Sequence, residues 1–168
     1  YLLKNGELAD ARSTERPTAS AKAAEEPFLR ALRRVRERYS GRSITTRELL
    51  AVFEEELPSS LRYEGKKSLE WFYEGWINGT AMPQLDSKNV KLLPKGRGLL
   101  ITGTIVQKDA PKNLVTAIPL YGFTGKGDRL LLGMVFADGA ENPFRVTAPA
   151  GIKRVVLDPD QTLLTQVR

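Results

Sequence analysis

Histidine and cysteine are both absent from the 168 residues. The commonest catalytic acid–base, imidazole metal ligands, thiolate nucleophiles, disulfides and zinc ribbons are therefore excluded from this chain together. Carboxylates, cations, hydroxyls and aromatic rings are left to do chemistry. Glu54-Glu55-Glu56 offers the densest carboxylates, and a general acid paired with a general base would need two of them to converge. Three successive helical positions point in different directions, so the run reads as a solvated helix face. Asp158-Pro159-Asp160 and Asp138-Gly139 carry oxygen ligands of the kind calcium takes, yet a calcium loop gathers several at once. Both read as ordinary turns. Gly125-Lys126-Gly127 lacks the length and the following helix of a phosphate-binding loop and reads as a hairpin turn.

Arg30, Arg33, Arg34, Arg36 and Arg38 crowd one helical stretch, and the net charge is +6 with a pI near 9.7. A nucleic-acid-binding helix is one reading of this. Residues 1–87, however, hold 14 basic and 14 acidic side chains, while residues 88–168 hold 12 and 6. The excess is dispersed along the second half, a weak electrostatic footprint, so the arginines read as a solvated face and no nucleic-acid partner is expected. Trp71-Phe72-Tyr73-Glu74-Gly75-Trp76 is the most distinctive local signal. It is apolar on too many sides for a helix lying on a surface and is expected to pack between neighbours. Its functional alternative places Trp71 or Tyr73 against a ligand groove.

The elements that must carry these residues change character near residue 87. Before it the period is helical. Phe28, Leu29, Leu32, Val35 and Tyr39 recur at helical spacing behind Pro27, and Gly41 ends the run. Thr45-Thr46-Arg47-Glu48 reads as a capping box opening a second helix with Leu49, Leu50, Val52, Phe53 and Leu57 inward, stopped at Pro58. A third helix is expected from about Lys67 to Ile77, burying Leu69, Phe72, Tyr73 and Trp76 and ending at Asn78-Gly79. Residues 9–24, rich in Ala, Ser, Thr and charge, read as a loop or disordered insert. Tyr1 in place of Met suits a chain that is processed or part of something longer.

From Lys88 onward short β-rich runs alternate with turns, at about 90–93, 99–107, 114–123, 129–137, 143–148, 152–157 and 163–167. The expected class is α+β: about three helices over residues 1–87, then an antiparallel, immunoglobulin-like sandwich of seven strands over 88–168. Leu130, Leu132, Met134 and Phe136 alternate with Leu131, Gly133 and Val135, so this strand is apolar on both faces and is expected to be central. Pro119 argues for an edge strand or a bulge. No run reaches the roughly 18 apolar residues of a membrane span, and no signal-peptide pattern opens the chain.

The segment from Ser68 to Pro83, SLEWFYEGWINGTAMP, resembles L-x-W-F-F-x-x-W-x-x-G-T-G-x-P, found near the end of the catalytic domain in aminopeptidase N-like zinc peptidases, the gluzincins. Phe28-Leu29-Arg30-Ala31-Leu32, Tyr39-Ser40-Gly41-Arg42 and Ile44-Thr45-Thr46 resemble that family's upstream helix pair. Lys153 to Leu164 resembles the last strands of its β-sandwich, which often closes the chain in bacterial members. The matches fall in order over about residues 25–168. Tyr73 and Ala81 stand where the family often has Phe and Gly.

The resemblance implies a C-terminal, non-catalytic portion of a zinc aminopeptidase-like parent. Trp71, Phe72, Trp76, Gly79, Pro83, Asp158 and Pro159 would form its structural signature. The family's zinc site needs H-E-x-x-H and a further Glu, which this chain lacks, so zinc is expected only in the parent's catalytic domain. That domain would be the chief partner, and the isolated segment would dimerise or swap elements to hide an apolar helix face. The alternative is an autonomous binding module for a glycan or protein, with Tyr121 and Phe123 on one strand face as its aromatics. A cytoplasmic and a periplasmic or secreted parent suit the composition equally.

Overall fold

The computed structural model describes residues 26–166. The insert expected over residues 9–24 lies outside them. The chain divides into two compact units between Leu69 and Glu70.

In the first unit, α1 (Pro27–Tyr39) starts with proline in its first turn and gives way to Gly41 at φ +76°, a conformation glycine adopts without steric cost. The expected capping box opens α2 (Thr46–Glu55). The Thr45 hydroxyl accepts from the Glu48 N–H at 3.3 Å, and the Glu48 carboxylate accepts from the Thr45 N–H at 2.8 Å. The rings of Phe28 and Phe53 stack at 5.8 Å between the two helices. Ala31, Val52, Leu57, Leu61 and Leu69 are buried.

The second unit opens with a helical stretch that starts three residues later than the expected 67 and ends at the expected Ile77. One α turn, α3 (Glu70–Phe72), continues as a π-helical turn over Tyr73–Ile77. It belongs with the strands. Six strands follow: β1 (Gln84–Lys95), β2 (Gly98–Lys108), β3 (Thr116–Thr124), β4 (Arg129–Ala137), β5 (Glu141–Pro149) and β6 (Ile152–Leu157). They form two antiparallel three-stranded sheets, ordered β1-β2-β5 and β4-β3-β6. The class is α+β as expected, with six strands among the described residues where seven were expected. Residues 163–166 of the seventh run are not a strand. The Asp158 carboxylate takes up the backbone N–H groups of Thr162 and Leu163, so the chain turns there in place of pairing.

One further expectation is corrected: β4 lies at a sheet edge, not at the centre. Of the two readings of Pro119, the edge strand fails, since β3 is the central strand of its sheet, and the bulge holds. Proline can sit there because a register shift follows between Leu120 and Tyr121, and because Pro119 contributes its carbonyl, which accepts from the Asp158 N–H at 2.9 Å. Ile101, Ile105, Ile118, Leu120, Ala137, Phe144, Ala148 and Ile152 form one buried cluster drawn from both sheets. On β2 the buried Ile101 and Ile105 alternate with Thr102 and Thr104, which places the two threonines on the opposite face.

Candidate functional site

The aromatic turn is built by close backbone approach. A Cβ on Gly79 would fall 2.1 Å from the Gly75 carbonyl oxygen, and one on Gly75 would fall 2.9 Å from Leu114 Cδ1. Glycine at both positions lets the wide turn close on itself and press against the segment entering β3. Trp71 meets Phe136 edge-on at 5.6 Å and Phe72 at 5.8 Å, the geometry aromatic quadrupoles favour. The Trp76 indole N–H donates to the Val115 carbonyl at 2.8 Å. Pro83 is fully buried and its carbonyl accepts from the Gln166 N–H. Trp71, Phe72 and Tyr73 are all half-buried. The turn thus spends its rings on packing and the Trp76 N–H on a hydrogen bond to the segment entering β3, while the buried Trp71 indole N–H has no hydrogen-bond partner among the described residues.

Asp158 and Pro159 sit just beyond β6. Asp158 adopts φ +37°, and its carboxylate accepts from the Thr162 hydroxyl and backbone and from the Leu163 N–H. Asp160 pairs with Arg129. This is a self-satisfied turn, with its carboxylates engaged by protein donors.

Tyr121 and Phe123 share a face of β3, yet each ring lies beneath a guanidinium. Arg129 stands 5.6 Å over Tyr121 and Arg154 stands 4.8 Å over Phe123. Tyr121 is only 9 % exposed. The two rings therefore each have a face covered by a cation and do not form the open coplanar platform a glycan stacks on.

The helical unit holds the chain's densest charge. Arg30 pairs with Glu56 at 2.7 Å, Arg34 with both Glu55 and Glu56, and Arg38 with Glu55. Positions 30, 34 and 38 lie one above another on α1, and α2 presents Glu55 and Glu56 to them. Glu54 faces elsewhere and accepts from the Leu69 N–H at 2.6 Å and the Ser68 hydroxyl. Glu54 departs from the other two, but Glu55 and Glu56 meet on the Arg34 guanidinium, because Glu56 lies past the last residue of α2 at φ −103° and leaves the helical spacing expected of it. Arg30, Arg34 and Arg38 are tied to Glu55 and Glu56 while the side chains of the arginines and Glu55 stay partly exposed, so the expected solvated face is also a paired one. Hydrogen bonds from Arg38 and Arg34 hold the Glu55 carboxyl down to about 2.

One polar cluster was missed by sequence reasoning. Buried Gln107 donates to the Leu114 carbonyl at 3.1 Å and accepts from the Thr116 hydroxyl at 2.7 Å. Buried Asn142 bridges the Asp138 N–H and the Gly139 carbonyl. Isolated polar residues within β-rich runs were the only signal. Every one of these groups is satisfied within the protein, the pattern of a structural network.

Among the described residues no three His, Cys, Asp or Glu side chains gather as a metal site, and no helix is long and apolar enough to cross a membrane. No family model, curated protein or solved structure matches the chain.

Proposed function

We propose that this chain is the non-catalytic C-terminal scaffold portion of a zinc aminopeptidase-like protein, completing and bracing that protein's catalytic domain. The observation that carries the reading is the outer face of α1. Leu29 and Leu32 are 47 % and 41 % exposed, and Phe28 is close to them in exposure. A helix carrying exposed apolar residues beside a paired arginine ladder is suited to a bundle with further helices. The aromatic turn supports it too, because its residues act as an internal fastener of the strand unit. The two three-stranded sheets with their common buried cluster are read as an immunoglobulin-like sandwich that serves as the brace.

Zinc chemistry belongs to the parent's catalytic domain in this reading. The donor set here does not fit the metal: imidazole and thiolate are absent, and Glu55, Glu56 and Asp160 are committed to arginine. No catalytic step is assigned to this chain.

The test is made on the natural protein that contains this segment. Metal analysis should find one zinc per chain and an aminoacyl anilide should be cleaved, while residues 1–168 alone bind no stoichiometric zinc and cleave nothing. The isolated chain should self-associate, and Leu29→Arg with Leu32→Arg should return it to a monomer. A natural protein without zinc and without an H-E-x-x-H segment overturns the reading, as does an isolated chain that is strictly monomeric.

A further inference from the structure

The outer face of the β1-β2-β5 sheet carries an arrangement that the scaffold role does not use. The register sets Lys91 opposite Thr102 and Thr102 opposite Arg145, one row across three strands. Thr104, two residues along β2, faces the same way. The β1 ladder shifts register between Lys88 and Lys91, where Asn89 takes φ +56°. At this bulge the surface opens into a depression of about 430 Å3, whose lining includes Asn89, Lys91, Thr102, Thr104 and Arg145.

The charges distinguish this row from its neighbour. Lys88 is neutralised by Glu141 across the sheet. Lys91 and Arg145 have no ion-pair or hydrogen-bond partner among the described residues. Strands lie about 4.8 Å apart, so the two backbones are roughly 10 Å apart. That spacing lets two long cationic side chains close on a single group held above Thr102. Two uncompensated like charges on one row repel each other, and an anion between them reverses the sign of that interaction.

We propose that this depression binds a phosphate monoester, with Lys91 and Arg145 as its charge partners and the Thr102 and Thr104 hydroxyls as neutral donors. A doubly charged tetrahedral oxyanion matches two cations and several donors better than a carboxylate does, and a guanidinium suits it through paired N–H groups. The site is open, so the rest of the ligand projects into solvent.

The test is a low-salt titration of the full chain with inorganic phosphate and then glycerol phosphate, read by amide chemical shifts. Saturable shifts confined to residues 89–91, 102–104 and 143–145 are expected, with little response to equal chloride. Lys91→Gln combined with Arg145→Gln should weaken binding by about tenfold or more, since each charge-assisted bond is worth about that factor. Lys126→Gln, in the β3–β4 turn, should leave it within about twofold. Vesicles containing phosphatidic acid, compared with phosphatidylcholine, then separate a lipid headgroup from a soluble ester. Retention on the former that the double variant loses assigns the site to lipid, and saturable glycerol phosphate binding without retention assigns it to a soluble ester. Non-saturating shifts scattered over Lys108, Lys126 and Arg154 overturn the proposal, as does a double variant that binds phosphate as tightly as the original chain.

Discussion

Gly79 and Gly75 differ in what they approach, and that difference sets what each substitution costs. An alanine methyl at Gly79 meets a backbone oxygen of its own turn at 2.1 Å, whereas at Gly75 it meets the end of the Leu114 side chain at 2.9 Å. A flexible side chain can rotate away; a carbonyl inside a turn cannot. Gly79→Ala is therefore expected to cost about 2 kcal/mol or more, and Gly75→Ala clearly less, in denaturant unfolding of the chain. The buried polar network makes a second prediction at this scale. Thr116→Val keeps the shape but removes the donor to Gln107 Oε1, leaving a buried acceptor unsatisfied. A loss of about 1–3 kcal/mol is expected, and Gln107→Leu added to it should recover part of that loss in a double-mutant cycle.

The arginine ladder belongs to the pair α1 and α2, not to any one residue. The Glu55 carboxyl sits at about 2 when folded, against an ordinary 4.5, because Arg38 and Arg34 bind its charged form. A depressed folded value stabilises the pair above the ordinary value, and that stabilisation is lost as pH falls from about 4.5 through about 2. Helical ellipticity of the chain should thus decline over that window, and Glu55→Gln should flatten the decline. The residues are exposed, so added salt should shrink the difference. At the other end of α2, the capping box gives Thr45→Ala an expected cost of about 1 kcal/mol, detectable as a lower thermal midpoint of the helical signal.

Across the whole molecule, burial concentrates on β2 and β3, the central strands of the two sheets, which supply Ile101, Ile105, Ile118 and Leu120 to the core. Their amides should exchange slowest with solvent, and those of edge strand β4 faster despite its apolar sequence, by native-state hydrogen exchange. Hydrophobicity alone ranks the strands the other way, with β4 as the centre, so the experiment separates composition from position. The net charge of +6 reads as dispersed along the sequence, but the sheet register brings Lys91 and Arg145 onto one row.

The absence of histidine and cysteine, and with it the range of chemistry this chain can perform, is a property of the sequence alone. So are the positions of α1, α2, their caps and most strands, because these follow from local periodicity, Pro27, the Thr45–Glu48 box and turn residues that act within a few positions of themselves. Residues 163–166 of the expected seventh strand do not form one, next to a turn in which the Asp158 carboxylate accepts from the Thr162 and Leu163 N–H groups. The aromatic signature was legible as packing, but its form was not: a π turn closed by Gly75 and Gly79 depends on Leu114 and Val115, some forty residues on. Strand order, the arginine–glutamate ladder and the candidate anion row were decided only by tertiary structure. Each depends on which face of one element meets another, and a residue's own neighbours in sequence carry no record of that phase. The carboxylates that first invited a catalytic reading, Glu54 to Glu56, are the clearest case. Helical spacing in the sequence separates Glu54 from the rest, but only the tertiary structure brings Glu55 and Glu56 together on Arg34.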